Sequence, residues 1–293
     1  MDERDWLAQR FQEHRPRLRA VAYRMLGSTS EADDALQEAW LRLSRSNASE
    51  IDNLEAWLVT VVGRVALNML RSRKTRREEP LEAQYLPDPI IDRAEGIDPE
   101  HEALLADSVG LALLVVLETL TPPERLAYVL HDMFSVPFEE IGAILERSPE
   151  AARQLASRGR RRIRAAHTTP HATEAAAHQE QEEVVEAFLA AARDGDFDAL
   201  VAVLDPDIVE RVDTGSGTIV EVRGAENVAR RAMVAASQHG LVGRPALING
   251  APGWVSVLDG ELYAVASLTV QDGRITTMDI LLDPARLARL DLK

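Results

Sequence analysis

Apolar residues repeat with one period in the first part of this chain and another in its last third, and that switch restricts the fold more than any single motif. Residues 7–25, 32–43 and 54–70 place apolar side chains at helical spacing. Gly27-Ser-Thr-Ser separates the first two stretches and residues 47–53 the last two. Thr29 or Ser30 is placed to cap the second helix ahead of Glu31-Ala-Asp-Asp. Helical patterning resumes over 104–166, broken at Thr121-Pro-Pro and around Val136-Pro137. From Glu180 the pattern changes: helices over 184–193 and 197–203 lead into alternating segments at 208–212, 218–222, 246–248, 255–258, 261–270 and 274–282. Asp259-Gly and Asp272-Gly read as hairpin turns, and 225–237 as one more helix. The pattern predicts a multidomain protein: two all-α domains, then an α+β domain with a mostly antiparallel sheet.

Residues 80–103 lose periodicity and carry Pro80, Pro87, Pro89 and Pro99 among acids, as a linker, partly ordered at best, does. Residues 167–179, HTTPHATEAAAHQ, form a second linker that blends into the next helix. The expected domains are therefore 1–79, 104–166 and 180–293, and 293 residues suffice for each to bury its own core.

The chain has no cysteine, which excludes disulfides and thiolate metal sites and suits a reducing compartment. Its N-terminus is charged from the second residue and has no apolar signal core. The longest apolar run, 109–117, is too short to span a bilayer. A soluble cytoplasmic protein with no membrane partner is expected. The net charge of −15 argues at first against nucleic acid, but phosphate attraction acts locally, so distribution matters more than the sum. Positive charge concentrates at Arg71, Arg73, Lys74, Arg76, Arg77 and again at Arg158, Arg160, Arg161, Arg162, Arg164, while acids dominate 78–102 and 174–186. Two compact basic patches in an acidic chain fit a protein that meets DNA in two places.

The second patch closes the segment FEEIGAILERSPEAARQLASRGRRRIR, residues 138–164. Phe138, Ile141, Ile144 and Leu145 mark one buried stripe. Ser148 and Pro149 start a second helix, since proline there removes an amide that needs no partner. In that helix Ala152, Leu155, Ala156, Gly159 and Ile163 fall on one side, and Arg153, Gln154, Ser157, Arg158 and Arg161 on the other. Such a helix suits a DNA major groove; a solvated basic helix in an ordinary helical domain has the same pattern. Earlier, residues 33–43 turn Leu36, Ala39, Trp40 and Leu43 inward and leave Asp34, Gln37, Glu38 and Leu41 outward. An outward leucine among acids often marks a protein partner, although an isolated exposed leucine usually means nothing. Residues 56–77 form an apolar helix whose second half turns basic, with Asn68 and Arg71 close to one face.

These segments, in this order over residues 5–166, resemble the σ2 and σ4 domains of extracytoplasmic-function (group 4) sigma-70 type factors of bacterial RNA polymerase. The resemblance implies a σ2 helical bundle, a σ4 helix-turn-helix, and two partners, core RNA polymerase and promoter DNA. Asp34, Gln37, Glu38 and Leu41 would dock on the β′ clamp helices, with the β flap as the other polymerase contact. Arg64, Asn68, Arg71 and Arg73 would meet the −10 element, where one strand is captured single-stranded. Arg153, Gln154 and Ser157 would read −35 bases, and Arg158, Arg161 and Arg162 would hold phosphates.

The last third resembles the SnoaL-like domain, a cone-shaped α+β fold that is fused to σ2–σ4 in one subgroup of these factors. Three short signatures of that subgroup have counterparts. Tyr85-Leu-Pro-Asp-Pro stands where the linker reads WLPEP, and Asp283-Pro-Ala-Arg-Leu where NPDKL is expected. Asp213-Thr-Gly-Ser-Gly stands near a DGGGK/R pattern with two glycines replaced. The resemblance implies control in cis, with Tyr85, Leu86, Pro87, Asp213, Asp283, Pro284 and Leu287 as regulatory contacts. The SnoaL-like domain would pack against σ2, σ4 and the linker and favour a compact state, while residues 283–293 assist the active one.

A one-component DNA-binding regulator with a ligand-sensing tail leaves the σ2 segment unexplained. A SnoaL-type enzyme would have Asp213, His239 and Asp279 as its candidate residues, but fold does not dictate function. A ligand pocket without catalysis suits the cone better, its small molecule unreadable from sequence. Asp194-Gly-Asp-Phe-Asp imitates a calcium loop but has Ala199 at its sixth position and Asp205 at its twelfth. His167, His171 and His178 have no further ligands beside them in sequence, and no phosphate-binding glycine loop occurs. No metal and no cofactor is expected.

Overall fold

The computed structural model describes residues 3–46, 51, 53–76, 85–92, 110–165 and 175–290. The chain divides into two compact units: Met1–Pro80, Pro99–Asp107 and Leu113–Thr169 in one, Leu81–Asp98, Ser108–Ala112 and Pro170–Lys293 in the other. Arg77, His167 and His171 lie outside the described residues, as do the side chains of Lys74 and Arg76.

The first unit begins with helices α1 (Glu3–Leu26), α2 (Thr29–Leu43) and α3 (Leu54–Arg76). Their apolar stripes, among them Leu18, Val21 and Met25 of α1, Leu36 and Leu43 of α2, and Leu58, Val62 and Ala66 of α3, are buried. Gly27, at φ +69°, turns the chain between α1 and α2. The cap of α2 falls on Ser28, ahead of Thr29 and Ser30, and its hydroxyl meets Ser30 Oγ at 3.1 Å instead of bonding a helix amide.

Next come α4 (Leu111–Glu118), α5 (Pro122–Tyr128), a π-helical turn (Val129–Met133), α6 (Phe138–Leu145) and α7 (Pro149–Ala165). The breaks fall where proline predicts them; the π turn has no apolar signature of its own. Thr121 and Glu124 form a capping box at the start of α5. Ser148 Oγ accepts from the Ala151 amide at 3.3 Å, so Ser148 and Pro149 start α7 as expected. The turn between α6 and α7 is tight: a Cβ on Gly142 would lie 2.8 Å from the Arg147 carbonyl oxygen. The same unit packs α3 on α5 and α6, where a Cβ on Gly63 would lie 3.4 Å from the Leu126 and Leu130 side chains and 3.7 Å from Ile144. Arg125, buried, pairs with Glu118 at 2.8 Å and donates to the Arg24 carbonyl at 3.1 Å.

The second unit contains α8 (Ala175–Asp194), α9 (Phe197–Val203), β2 (Leu204–Asp213), β3 (Ile219–Arg223), α10 (Ala225–Ala236), β4 (Leu241–Ile248), β5 (Ala251–Leu258), β6 (Glu261–Gln271), β7 (Arg274–Leu281) and α11 (Pro284–Leu287). A two-residue strand, β1 (Ile91–Asp92), joins from far upstream, pairing Ile91 with Ile248 and Asp92 with Leu247. The sheet runs β1-β4-β5-β6-β7-β2-β3, and only β2 and β7 pair in parallel. Alternation gives it two faces. One, with Trp254, Ala266, Leu268 and Met278, packs on Val185 and Phe188 of α8 and Val228 of α10. The other gathers Ile91, Ile248, Val255, Val265, Leu281 and Leu287. Strand β1 lies inside the segment expected as linker, because a two-residue strand has no periodicity to detect. Strand β2 begins at Leu204 and β4 at Leu241, earlier than alternation alone indicates.

Candidate nucleic-acid interface

Helix α7 presents the face that the sequence predicts. Ala152, Leu155, Ala156, Gly159 and Ile163 are buried, and Arg153, Gln154, Ser157, Arg158, Arg161 and Arg162 are exposed. Gln154, Ser157 and Arg161 make no hydrogen bond or ion pair among the described residues, leaving their polar groups available to an incoming partner. Arg153 stacks over the Phe138 ring, its guanidinium carbon 5.1 Å from the centroid, so part of its orientation is set by α6.

Arg158 and Arg162 are held by a residue that sequence reasoning missed. Glu124, buried on α5, accepts from Arg158 Nε at 3.1 Å and from Arg162 Nη1 at 3.0 Å. It also accepts the Thr121 amide at 3.2 Å and the Thr121 hydroxyl at 2.8 Å. Burial pushes its pKa up, but these donors outweigh burial and hold the carboxyl below its ordinary value. The signal in sequence was the capping box Thr121-Pro-Pro-Glu124, which placed the carboxylate without revealing that α7 would pack beside it. A Cβ on Gly159 would meet Tyr128 Cβ at 3.2 Å, which shows how closely α7 approaches α5.

On α3, Arg64, Asn68 and Arg71 are exposed on the outer face. Arg64 donates to the Ala143 carbonyl of α6 at 3.2 Å. Arg73 differs: it pairs with Glu31 and donates through Nη1 and Nη2 to the Leu26 carbonyl at 3.2 Å, tying the end of α3 to the α1–α2 turn. On α2, Asp34, Gln37 and Leu41 are exposed as predicted, while Glu38 accepts from Arg42 one turn on at 2.8 Å.

In the second unit, the regulatory candidates converge on one ion pair. Asp213, fully buried at the end of β2, accepts the Leu86 amide at 2.9 Å, the Gly215 amide at 2.9 Å and Arg286 Nη1 at 2.8 Å. Arg286 also donates to the Leu86 carbonyl at 2.6 Å and to Asp88 Oδ1 from Nε at 2.9 Å. Asp283 caps α11 through the Ala285 amide at 2.9 Å, Pro284 takes the first helical position, and Leu287 is buried. Gly215, at φ +78°, is required here: a Cβ would lie 2.6 Å from Asp283 Cγ. Leu86 and Pro87 are buried and Tyr85 is exposed. Asn249 closes the far end of the segment, exchanging hydrogen bonds with Ile90 at 2.8 and 3.1 Å. The structure thus brings Leu86, Asp213 and the 283–287 turn together and adds Arg286, Asp88 and Asn249. Arg286 stood inside a quoted motif, but only the fold shows its span.

Two of the enzyme candidates share one sheet face but are each committed to an arginine. Asp213 is committed to Arg286, and Asp279 to Arg211 at 2.6 and 3.1 Å, on the sheet face turned away from α8 and α10. Burial raises the Asp279 pKa against the pull of Arg211. His239 is exposed in the turn before β4. Among the described residues, no group of three or more acids and histidines could hold a metal, and no helix is long and apolar enough to cross a membrane.

Comparison with known proteins identifies two segments of the helical unit. Residues 10–76 match Sigma-70 region 2 and residues 110–163 match Sigma-70, region 4. A probable ECF RNA polymerase sigma factor of Mycobacterium tuberculosis, SigI, is 33% identical over 289 residues, 98% of this chain and 97% of that protein. The ECF RNA polymerase sigma factor SigJ of the same organism is 35% identical over 297 residues, covering 97% of this chain and 94% of its own. The crystal structure of SigJ superposes with a TM-score of 0.76 at 32% identity, over 98% of this chain and all of that one.

Proposed function

The chain belongs to the extracytoplasmic-function family of RNA polymerase sigma factors, and from that premise we propose how its residues divide the work. It binds core RNA polymerase and directs initiation at promoters, as a specificity subunit rather than an enzyme. Its place of action is the cytoplasm, with the polymerase. The observation that carries the residue assignment is the exposed polar face of α7, backed by a buried stripe that docks it on α5 and α6.

In this reading α7 enters the major groove at −35. Arg153, Gln154 and Ser157, nearest its N-terminal end, reach base edges; Arg158, Arg161 and Arg162, farther along, hold phosphates. Arg64, Asn68 and Arg71 meet the −10 strand, and Arg73 supports them by fixing the end of α3. Asp34, Gln37 and Leu41 dock on the polymerase clamp, with Glu38 oriented by Arg42.

Control in cis fits two further observations. Arg64 is engaged by the Ala143 carbonyl, and Gly63 is packed against Leu126, Leu130 and Ile144. This compact arrangement of α3 with α5 and α6 has to open before the two DNA-reading surfaces can reach separate promoter elements. The segment 85–92 is clamped to the C-terminal sheet, so it is not free to act as a loose tether. A domain that favours one arrangement shifts activity by its differential affinity for the two states.

The test is run-off transcription with purified core polymerase on the region upstream of the chain's own gene, comparing the full chain, one ending at Ala166 and one ending at Leu282. Specific initiation with a different yield for each truncation is expected. If no form initiates, the assignment fails; identical yields from both truncations would remove the separate role given to residues 283–293.

A further inference from the structure

Between the sheet and helices α8 and α10 lies a cavity of about 970 Å³, open at one side. Its size is that of pockets that enclose a drug-sized molecule. Trp254 and Phe188, stacked on one another with centroids 5.0 Å apart and planes at 24°, form an aromatic part of its wall, continued by Met278 and Ile280. Into this apolar space projects one carboxyl group. Glu210 follows Ile208 and precedes Val212 in the inward phase of β2, and it is only 4% exposed. Arg231 Nε donates to its Oε2 at 2.7 Å; among the described residues Oε1 has no hydrogen-bond partner. Oε1 therefore faces the cavity as an acceptor that a ligand donor can take in place of water.

We propose that this cavity binds an uncharged, largely apolar, ring-containing molecule that donates a hydroxyl hydrogen bond to Glu210. The charge follows from the walls. Arg193, Arg230 and Arg231 line the cavity; Arg231 pairs with Glu210 and Arg230 with Glu226 at 3.8 Å, which leaves Arg193 as a cationic excess that disfavours a cation. An anion placed at Oε1 would meet the carboxylate. Burial also raises the Glu210 pKa, against the pull of Arg231. The ring preference follows from the aromatic wall of Trp254 and Phe188, whose edges favour a ligand ring by edge-to-face or offset contact. Ser256 and Tyr263, also on the lining, make no side-chain hydrogen bond among the described residues and offer a second polar pole. Strands β5 and β2 are three spacings apart, about 14 Å at ~4.8 Å per strand, so a ligand that used both poles would be elongated.

The experiment titrates the full chain with naphthalene, 2-naphthol, 2-naphthoate and 2-naphthylmethylammonium by calorimetry. The expected result is that 2-naphthol binds about tenfold tighter than naphthalene, the effect of one hydrogen bond to a charged acceptor, and that both ions bind worse than 2-naphthol. Glu210→Leu should reduce the naphthol-to-naphthalene preference to less than about twofold, and Glu210→Gln, which keeps a carbonyl acceptor, should restore part of it. A measurement on the unmutated chain stands beside the variants: nuclear Overhauser contacts from bound 2-naphthol to the Trp254 indole and the Met278 methyl. Equal affinity for naphthalene and 2-naphthol, tighter binding of either ion, or contacts confined to other residues would overturn the proposal.

Discussion

Two carboxylate–arginine sites in this molecule use the same chemistry to opposite ends. In the helical unit the acid is buried and the cations are not: Glu124 holds Arg158 and Arg162, whose side chains remain 44% and 51% exposed. In the sheet unit both partners are buried: Asp213 is fully enclosed and Arg286 is 14% exposed. The first arrangement is a platform that aims guanidinium groups while leaving donors for a phosphate. The second is a clamp, with its arginine shared among Asp213, Asp88 and the Leu86 carbonyl. Burial of the cation, not the identity of the pair, decides which of the two results.

The strongest way to break the comparison is at the clamp. Asp213→Ala leaves Arg286 under-compensated and strips a partner from the amides of Leu86 and Gly215. Unfolding of the sheet unit should lose about 3–5 kcal/mol in denaturant titrations, because one partner of a buried pair has gone. Hydrogen exchange at the Leu86 amide should accelerate with it. Unchanged protection of Leu86 would mean that β1 pairing alone secures the segment.

A smaller effect is expected at Glu124. Glu124→Gln keeps the shape but weakens the bonds to two arginines and the capping box, for a loss of about 1–3 kcal/mol in the helical unit. The pH dependence sharpens the point. Because the folded pKa is lowered, the stabilisation is present above the ordinary value of 4.5 and is lost as pH falls through the folded value. Thermal melts of the variant should therefore show a shallower decline on the acid side, and parallel curves would show that Glu124 is not what titrates.

The smallest stability change belongs to the exposed arginines, where promoter binding should respond instead. Arg158→Ala and Arg162→Ala should each alter folding by less than about 1 kcal/mol. Each should weaken binding evenly across promoter sequences and lower the slope of log affinity against log salt by about 1. Arg153→Ala should lose about 1–3 kcal/mol at a single base position and relax selection there. A uniform loss for Arg153→Ala would move it from base reading to the phosphate group.

Much of the helical unit was legible because a helix repeats its burial pattern every few residues. All five residues expected on the inner side of α7 are buried, and those assigned outward are exposed. Less of the second unit could be read in advance. The short β1 carries no periodicity, Asp88 and Arg286 are separated by most of the chain, and Asn249 acts through a turn at φ +53°. Glu210 was visible in principle, as an acid in the apolar phase Ile208–Glu210–Val212, but only a cavity gives that irregularity a meaning. Arg73, placed among basic neighbours by the sequence and given a −10 role by the resemblance, is also bonded to Glu31 and to the Leu26 carbonyl, partners that only the fold brings within reach.

By itself the sequence determined which segments are helical or extended, which face of α7 is polar, and which family the motifs resemble, because each of these depends on residues close together along the chain. Tertiary structure alone decided which charges are presented and which are locked. Asp213 and Asp279 leave the cavity and Glu210 enters it by the parity of two paired strands, and Arg286 finds its partners only when the 85–92 segment and the 283–287 turn meet. Burial and pairing across the chain set electrostatic strength, and neither exists until the sheet has formed.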